Sequence, residues 1–211
     1  MTQATMKPAV MNSPMINKVL TETFGPTEGS ALRIKQAILV VAGIALLTLM
    51  AQIKIAVPPS PVAINMGTFA VLSIGAAYGA RLGLTTILGY MLIGVLGFDV
   101  FQSSTAELSG IAYMTGSTGG YLVGYVLATG VLGLLARRGW DRSVLWMALA
   151  MLIGNLVLYV PGLLWLGTLH GWDKPILAWG LTPFVIGDAM KLALAALLLP
   201  AVWKLVGRAR G

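Results

Sequence analysis

Long apolar runs alternate with short polar or proline-bearing stretches along most of the chain. Each run is longer than a buried helix of a soluble domain needs, and close to the roughly 20 apolar residues that cross hydrocarbon. The runs fall at about Gln36 to Ile53, Met66 to Ala80, Leu82 to Phe98, Thr118 to Ala136, Ser143 to Leu169 and Pro183 to Trp203. The first two are separated by the segment VPPSPVAIN, Val57 to Asn65, whose prolines lack donors and break helices, so it is expected to be a loop or a re-entrant segment. Arg81 divides the second run from the third, and a polar loop from Asp99 to Ser117 follows the third. The pattern predicts an all-α integral membrane protein, a six-helix bundle forming one domain over residues 36–206. Residues 1–35 carry Pro8, Pro14, Pro26 and scattered charges, and read as a cytoplasmic tail with a short surface helix around Met15 to Phe24. They do not form a cleavable signal peptide, because the first apolar run is too long for its hydrophobic region.

The basic residues orient this layout. With the N-terminus inside, the inner segments hold Lys7, Lys18, Arg33, Lys35, Arg81, Arg137, Arg138, Arg142, Lys204, Arg208 and Arg210, whereas the outer loops hold only Lys54 and Lys174. That bias predicts N-in, C-in topology with an even number of spans. Loops 54–65 and 99–117 then lie outside, where they could cover an outward cavity.

Composition agrees: 57% of residues are hydrophobic and 10% charged, against about 25% charged in soluble domains, and mean hydropathy is +0.86. The net charge of +7 therefore reports cytoplasmic loops, not nucleic-acid binding. There is no cysteine, which removes disulfides, thiol nucleophiles and cysteine metal sites, and the single His170 excludes a two-histidine metal motif. No lysine is preceded by glycine and followed by serine or threonine, so there is no Walker A loop, and neither G-x-S-x-G nor H-E-x-x-H occurs. No cofactor is implied, and the chain reads as a binding and transport protein, not an enzyme.

Two charges stand inside an apolar run. Asp188 and Lys191 are three residues apart, on one helix face, and each costs about 2.5–3.5 kcal/mol at mid-membrane. If the last span enters from outside near Pro183, Asp188 lies roughly 7 Å in, within reach of the outer side. Tyr121 and Tyr125 sit one turn apart at the same level, and Asn155, Tyr159, Gly162 and Trp165 follow helical spacing in the fifth run. Rings and a few polar groups around an ion pair describe a ligand cavity. The plainer reading is a structural ion pair with interfacial aromatics. A membrane enzyme using Asp188 as general base is a third, and it lacks a second catalytic group. Glycines at four-residue spacing, Gly75, Gly79 and Gly83, then Gly120 and Gly124, predict close helix packing and also suit a partner subunit or self-association.

Three segments, in order, resemble the BioY biotin-uptake family: PPSPVAINMGTFAVL from Pro58, GSTGGYLVGY from Gly116 and GDAMKLALAALLLPA from Gly187. The second is similar to that family's G-P-T-G-G-Y run and the third to its G-D-x-x-K-x-x-x-A signature. The resemblance covers about residues 36–206. It implies six helices, an outward biotin pocket, Asp188 and Lys191 as ligand-binding residues and Tyr121 as pocket lining. Asp188 would accept from the ureido N–H, and Lys191 would pair with the carboxylate or hold Asp188 ionised. The family further implies a transmembrane coupling subunit and two ATPase subunits, although some members occur alone. Departures are local. Ser117 replaces a proline, and Gly67 and Leu122 stand where the family often has polar residues, so Asn65, Gln102 or a residue of the 103–113 loop is expected to supply those contacts. The first span offers only a loose small face of Ala37, Ala42, Gly43 and Ala45 for docking the coupling subunit. A different vitamin or small carboxylate on the same architecture is the alternative ligand.

Overall fold

The structure is a computed structural model that describes residues 17–102 and 108–208. Met15, Ile16, Lys7, Arg210 and residues 103–107 of the expected outer loop lie outside the described residues. A single 3-10 turn, Leu20–Thr23, precedes helix α1, Gly29–Gln52. Strands β1, Lys54–Ile55, and β2, Ile64–Asn65, pair antiparallel and bracket the proline-rich loop. Then come α2, Gly67–Val95; the short α3, Gly110–Met114; α4, Gly119–Arg137; α5, Val144–His170; the short α6, Ile176–Gly180; and α7, Val185–Arg208.

Helix α2 is a hairpin. Gly79 adopts φ 75°, ψ 170°, a region that only glycine occupies readily. A Cβ placed on Gly83 would lie 3.5 Å from Gly75 Cα, whereas eight residues of continuous helix span about 12 Å. The two arms, 67–78 and 80–95, are therefore antiparallel, and they match the second and third expected spans. With α1, α4, α5 and α7 they make six helical segments. Five described helices, counting the α2 hairpin once, are long and apolar enough to cross a membrane. Gly79 thus makes the turn, whereas sequence spacing assigned it to packing.

The other glycines do pack. A Cβ on Gly124 would lie 2.5 Å from Leu158 O, and one on Gly120 would lie 2.3 Å from Pro161 O, so α4 and α5 touch backbone to backbone. Gly133, which carried no sequence signal, meets Ala80 N equally closely. Helix α4 packs against both arms of α2 and against α5; α7 lies on α5 and α2; α1 lies along α2. Outward faces are apolar at helical spacing, as on α7, where Ile186, Met190, Leu194 and Leu197 are all exposed. Water does not favour so much contiguous apolar surface, but lipid does.

The N-terminal segment corrects the sequence expectation of a surface helix. Among the described residues its helical part is the one turn Leu20–Thr23, and it is docked. Val19 is fully buried and faces Gly79, the Thr21 hydroxyl donates to Ala77 O at 3.2 Å, and Arg137 pairs with Glu22 at 2.6 Å. Helix α1 also begins seven residues before the first apolar run. Its first two turns include Ser30, Arg33, Lys35 and Gln36, which form helical hydrogen bonds without adding to the apolar signal. The end of the bundle that holds Gly79 thus gathers Lys18, Arg81, Arg137, Arg138, Arg142 and Lys204.

Candidate functional site

The first arm of α2 has 12 residues and rises about 18 Å, against about 28 Å for α4. It stops short of the end opposite the basic one, and a cavity of about 50 Å³ lies there. The β-hairpin loop, the segment after α2, and the ends of α4, α5 and α7 enclose it.

Seven aromatic rings line the wall. Tyr121 and Tyr125 come from α4, Tyr159 from α5, Tyr90 from the second arm of α2, and Phe101, Tyr113 and Phe184 from the connecting segments. Tyr159 meets Tyr121 edge-on at 6.1 Å between centroids, and Phe101 stacks on Tyr113 at 4.8 Å. These geometries fix the rings against one another. Gly162 makes room for Tyr121, since a Cβ there would lie 2.5 Å from its ring, and the Tyr121 hydroxyl donates to Gly180 O at 2.9 Å. Outside the spans, burial raises the pKa of the Tyr113 phenol above its ordinary value, against the opposing hydrogen bond with Thr118.

The polar groups fall into two sets. At the first turn of α7, Lys191 Nζ donates to Asp188 Oδ1 at 2.9 Å and to Thr68 Oγ1 at 2.8 Å, and the Tyr159 hydroxyl donates to Asp188 Oδ2. Asp188 and Lys191 are each 6% exposed. Lys191, Thr68 and Tyr159 border the cavity, while both carboxylate oxygens of Asp188 are engaged. At the other side Asn65 Nδ2 donates to Gln102 Oε1, and Asn65 Oδ1 accepts from Gly67 N at 2.5 Å. An added Cβ on Gly67 would collide with Asn65 Oδ1 at 2.7 Å, so glycine permits this turn.

The structure therefore brings together Asp188, Lys191, Tyr121, Tyr159, Asn65 and Gln102. Asn155 does not join them. It is buried on α5, one turn from Tyr159 toward the basic end, and it does not line the cavity. Trp165 is also displaced, because six residues turn it about 240° from Tyr159, and its indole donates to Gly116 O at 2.9 Å. Thr68 was missed. A threonine directly after a proline-rich loop, at the start of a span, was the available signal. Tyr90, Phe101 and Phe184 gave none, since a ring in an apolar run looks like core. Among the described residues, no acidic, histidine or cysteine group could hold a metal.

Comparison with known proteins supports the family assignment. The family model described as the BioY family matches residues 21–208. The probable biotin transporter BioY of Pyrococcus horikoshii is 34% identical over 79% of this chain and 95% of its own length. The biotin transporter BioY of Thermotoga maritima is 30% identical over 76% and 92%. A crystal structure of the S-component for biotin from an ECF-type ABC transporter superposes with a TM-score of 0.70 over 84% of this chain and 95% of that one; at 17% identity it shows the shared fold.

Proposed function

The chain belongs to the BioY family, and on that premise we propose that it captures biotin in the aromatic cavity as the substrate-binding part of an uptake system. It is a multi-pass membrane protein of transport, not an enzyme. The observation that carries the ligand reading is Lys191 at the wall of a ring-lined cavity, paired with the buried Asp188 behind it. A charge at lipid depth is costly unless paired and hydrogen-bonded. Here Lys191 donates to Asp188 and Thr68 and borders the cavity. A ligand carboxylate is the natural partner for that ammonium, and the rings suit packing against a fused bicycle. This arrangement favours Lys191 on the carboxylate over a direct ureido bond to Asp188, whose oxygens are engaged by Lys191 and Tyr159.

The basic bias supports placing the cavity on the outer side of a bacterial inner membrane, N-in and C-in. Since the chain has no cysteine, single cysteines at positions 174 and 204 can test this. Only the former should react with an impermeant maleimide on intact cells. We further infer a coupling subunit and two ATPase subunits as partners, a proposal tested by co-purification. The ligand proposal itself is tested by calorimetric titration of the purified protein with biotin. Submicromolar binding that weakens at least tenfold in Lys191→Ala supports it. Binding weaker than micromolar, or a different carboxylate co-purifying in its place by mass spectrometry, overturns it.

A further inference from the structure

Charge at the cavity wall does not balance once a carboxylate ligand is placed there. Among the described residues that line the cavity, Lys191 alone is charged. Its ammonium has three hydrogens. One goes to Asp188 Oδ1 at 2.9 Å and one to Thr68 Oγ1 at 2.8 Å, which leaves one for a ligand. Asp188 and Lys191 cancel each other's charge, and both are buried. A ligand carboxylate drawn to that ammonium brings a second anion to the same cation. Two carboxylates that share one site out of water do not both stay ionised. The deficit is one proton.

Few groups can hold it. The Tyr159 hydroxyl on α5 donates to Asp188 Oδ2. Tyr125 on α4 lies within electrostatic range of Asp188, and Tyr121 and Tyr90 stand behind these two rings. Phenols are neutral near pH 7, so they donate hydrogen bonds but neutralise nothing. Helix α2 contributes the Thr68 hydroxyl and the 182–184 turn the Phe184 ring, and neither titrates. Among the described residues, Asp188 Oδ1 accepts from Lys191 alone. A turn of the ammonium toward the ligand therefore frees that oxygen.

We propose that the site binds its carboxylate ligand together with one proton, and that Asp188 Oδ1 receives it. The proposal rests on the reading of the cavity as the biotin site. As Lys191 moves its donor from Asp188 to the ligand carboxylate, a proton from water bonds to the freed Oδ1, while Oδ2 keeps the Tyr159 hydroxyl. The new O–H points a donor at the ligand carboxylate, and the complex is as neutral as the Asp188–Lys191 pair. Ligand capture is thereby tied to proton activity on the side that the cavity faces.

The test is calorimetric titration of the full-length protein with biotin near neutral pH, in phosphate and in Tris, whose ionisation enthalpies differ widely. The difference in apparent enthalpy gives the protons taken up per biotin, expected to be close to one. The Kd is expected to rise by up to about tenfold for each unit of pH. Biotinamide, which lacks the carboxylate, is expected to bind without proton uptake, and Asp188→Asn is expected to remove both dependences for biotin. A biotin enthalpy that does not change with buffer, equal uptake with biotinamide, or uptake that persists in Asp188→Asn overturns the coupling. Where Asp188→Asn does not fold, the buffer series on the unaltered protein decides alone. If that protein fails to bind biotin at all, the reading of the cavity falls instead; the other outcomes leave it standing.

Discussion

Replacing Lys191 by methionine separates a ligand site from a structural ion pair. Methionine roughly matches the lysine stem in length, so packing on α7 is retained while the ammonium is lost. Asp188 then keeps one strong donor, the Tyr159 hydroxyl, in a position only 6% exposed. Breaking one side of a buried pair costs about 3–5 kcal/mol, because the remaining charge is uncompensated. The double variant Asp188→Asn with Lys191→Met carries no charge there, and most of the stability loss should disappear. Binding should behave differently. A hydrogen bond from an ammonium to a carboxylate contributes about 1.5–3 kcal/mol, which is roughly 10- to 150-fold in Kd. The double variant cannot regain it. Thermal unfolding in detergent and calorimetric titration with biotin measure the two quantities on the same preparations. The reasoning is refuted if the double variant binds biotin like the original protein, for then the pair only holds α7 in place. It is also refuted if Lys191→Met unfolds at the original temperature, for then the pair is not the desolvated one described.

Other residues give further tests. Thr68→Val removes an acceptor of the Lys191 ammonium while keeping its shape, and should weaken biotin binding about tenfold; Thr68→Ser should restore it, and a Thr68→Val protein with unchanged Kd would show that the contact does not position the lysine. Gly124→Ala sets a Cβ 2.5 Å from Leu158 O and must part α4 from α5, with an expected loss of about 1–3 kcal/mol in denaturant or thermal unfolding. Asp141, in the turn between α4 and α5, has its pKa pushed up to about 6 by burial, against the opposing effects of the Trp203 indole and the Arg142 guanidinium. Since the folded pKa lies above the ordinary 3.8, the folded state holds this proton more tightly, so the contribution is full below about pH 4 and is lost as pH rises through 6. Unfolding midpoints should show Asp141→Asn losing that dependence, worth up to about 3 kcal/mol; equal pH profiles for both proteins would count against it.

The fold was legible because lipid imposes it. Where no water can satisfy a backbone, an apolar run long enough to cross must be helical, and six such runs leave few arrangements. Asp188 and Lys191 were legible for the same reason, since a charge stands out only against an apolar background. The remaining features depend on contacts that leave no mark in one stretch of sequence. Gly79 and Gly75 look alike in the chain, yet one reverses it and the other packs against Thr129. Val19 is one apolar residue in a polar segment, and its burial follows from the shape of the α2 turn it meets. Tyr90 lines the cavity and Asn155 does not, because depth along a helix, not residue type, decides which side chains reach it.

That depth is set by the short first arm of α2. Had residues 67–78 continued for another two turns, about 11 Å, helix would fill the space now held by the cavity, and Lys191 would meet a packed neighbour. Because the arm stops at Gly67, the chain must cover the gap with the β1–β2 loop and the segment around Phe101, which are not continuous helix. Irregular backbone at membrane depth is tolerated where it lines a cavity or is buried in protein. The prolines of VPPSPVAIN thus do more than end a span. By keeping that stretch out of α2 they leave the ammonium of Lys191 facing space instead of protein, with Thr68, at the start of the shortened arm, as its second acceptor.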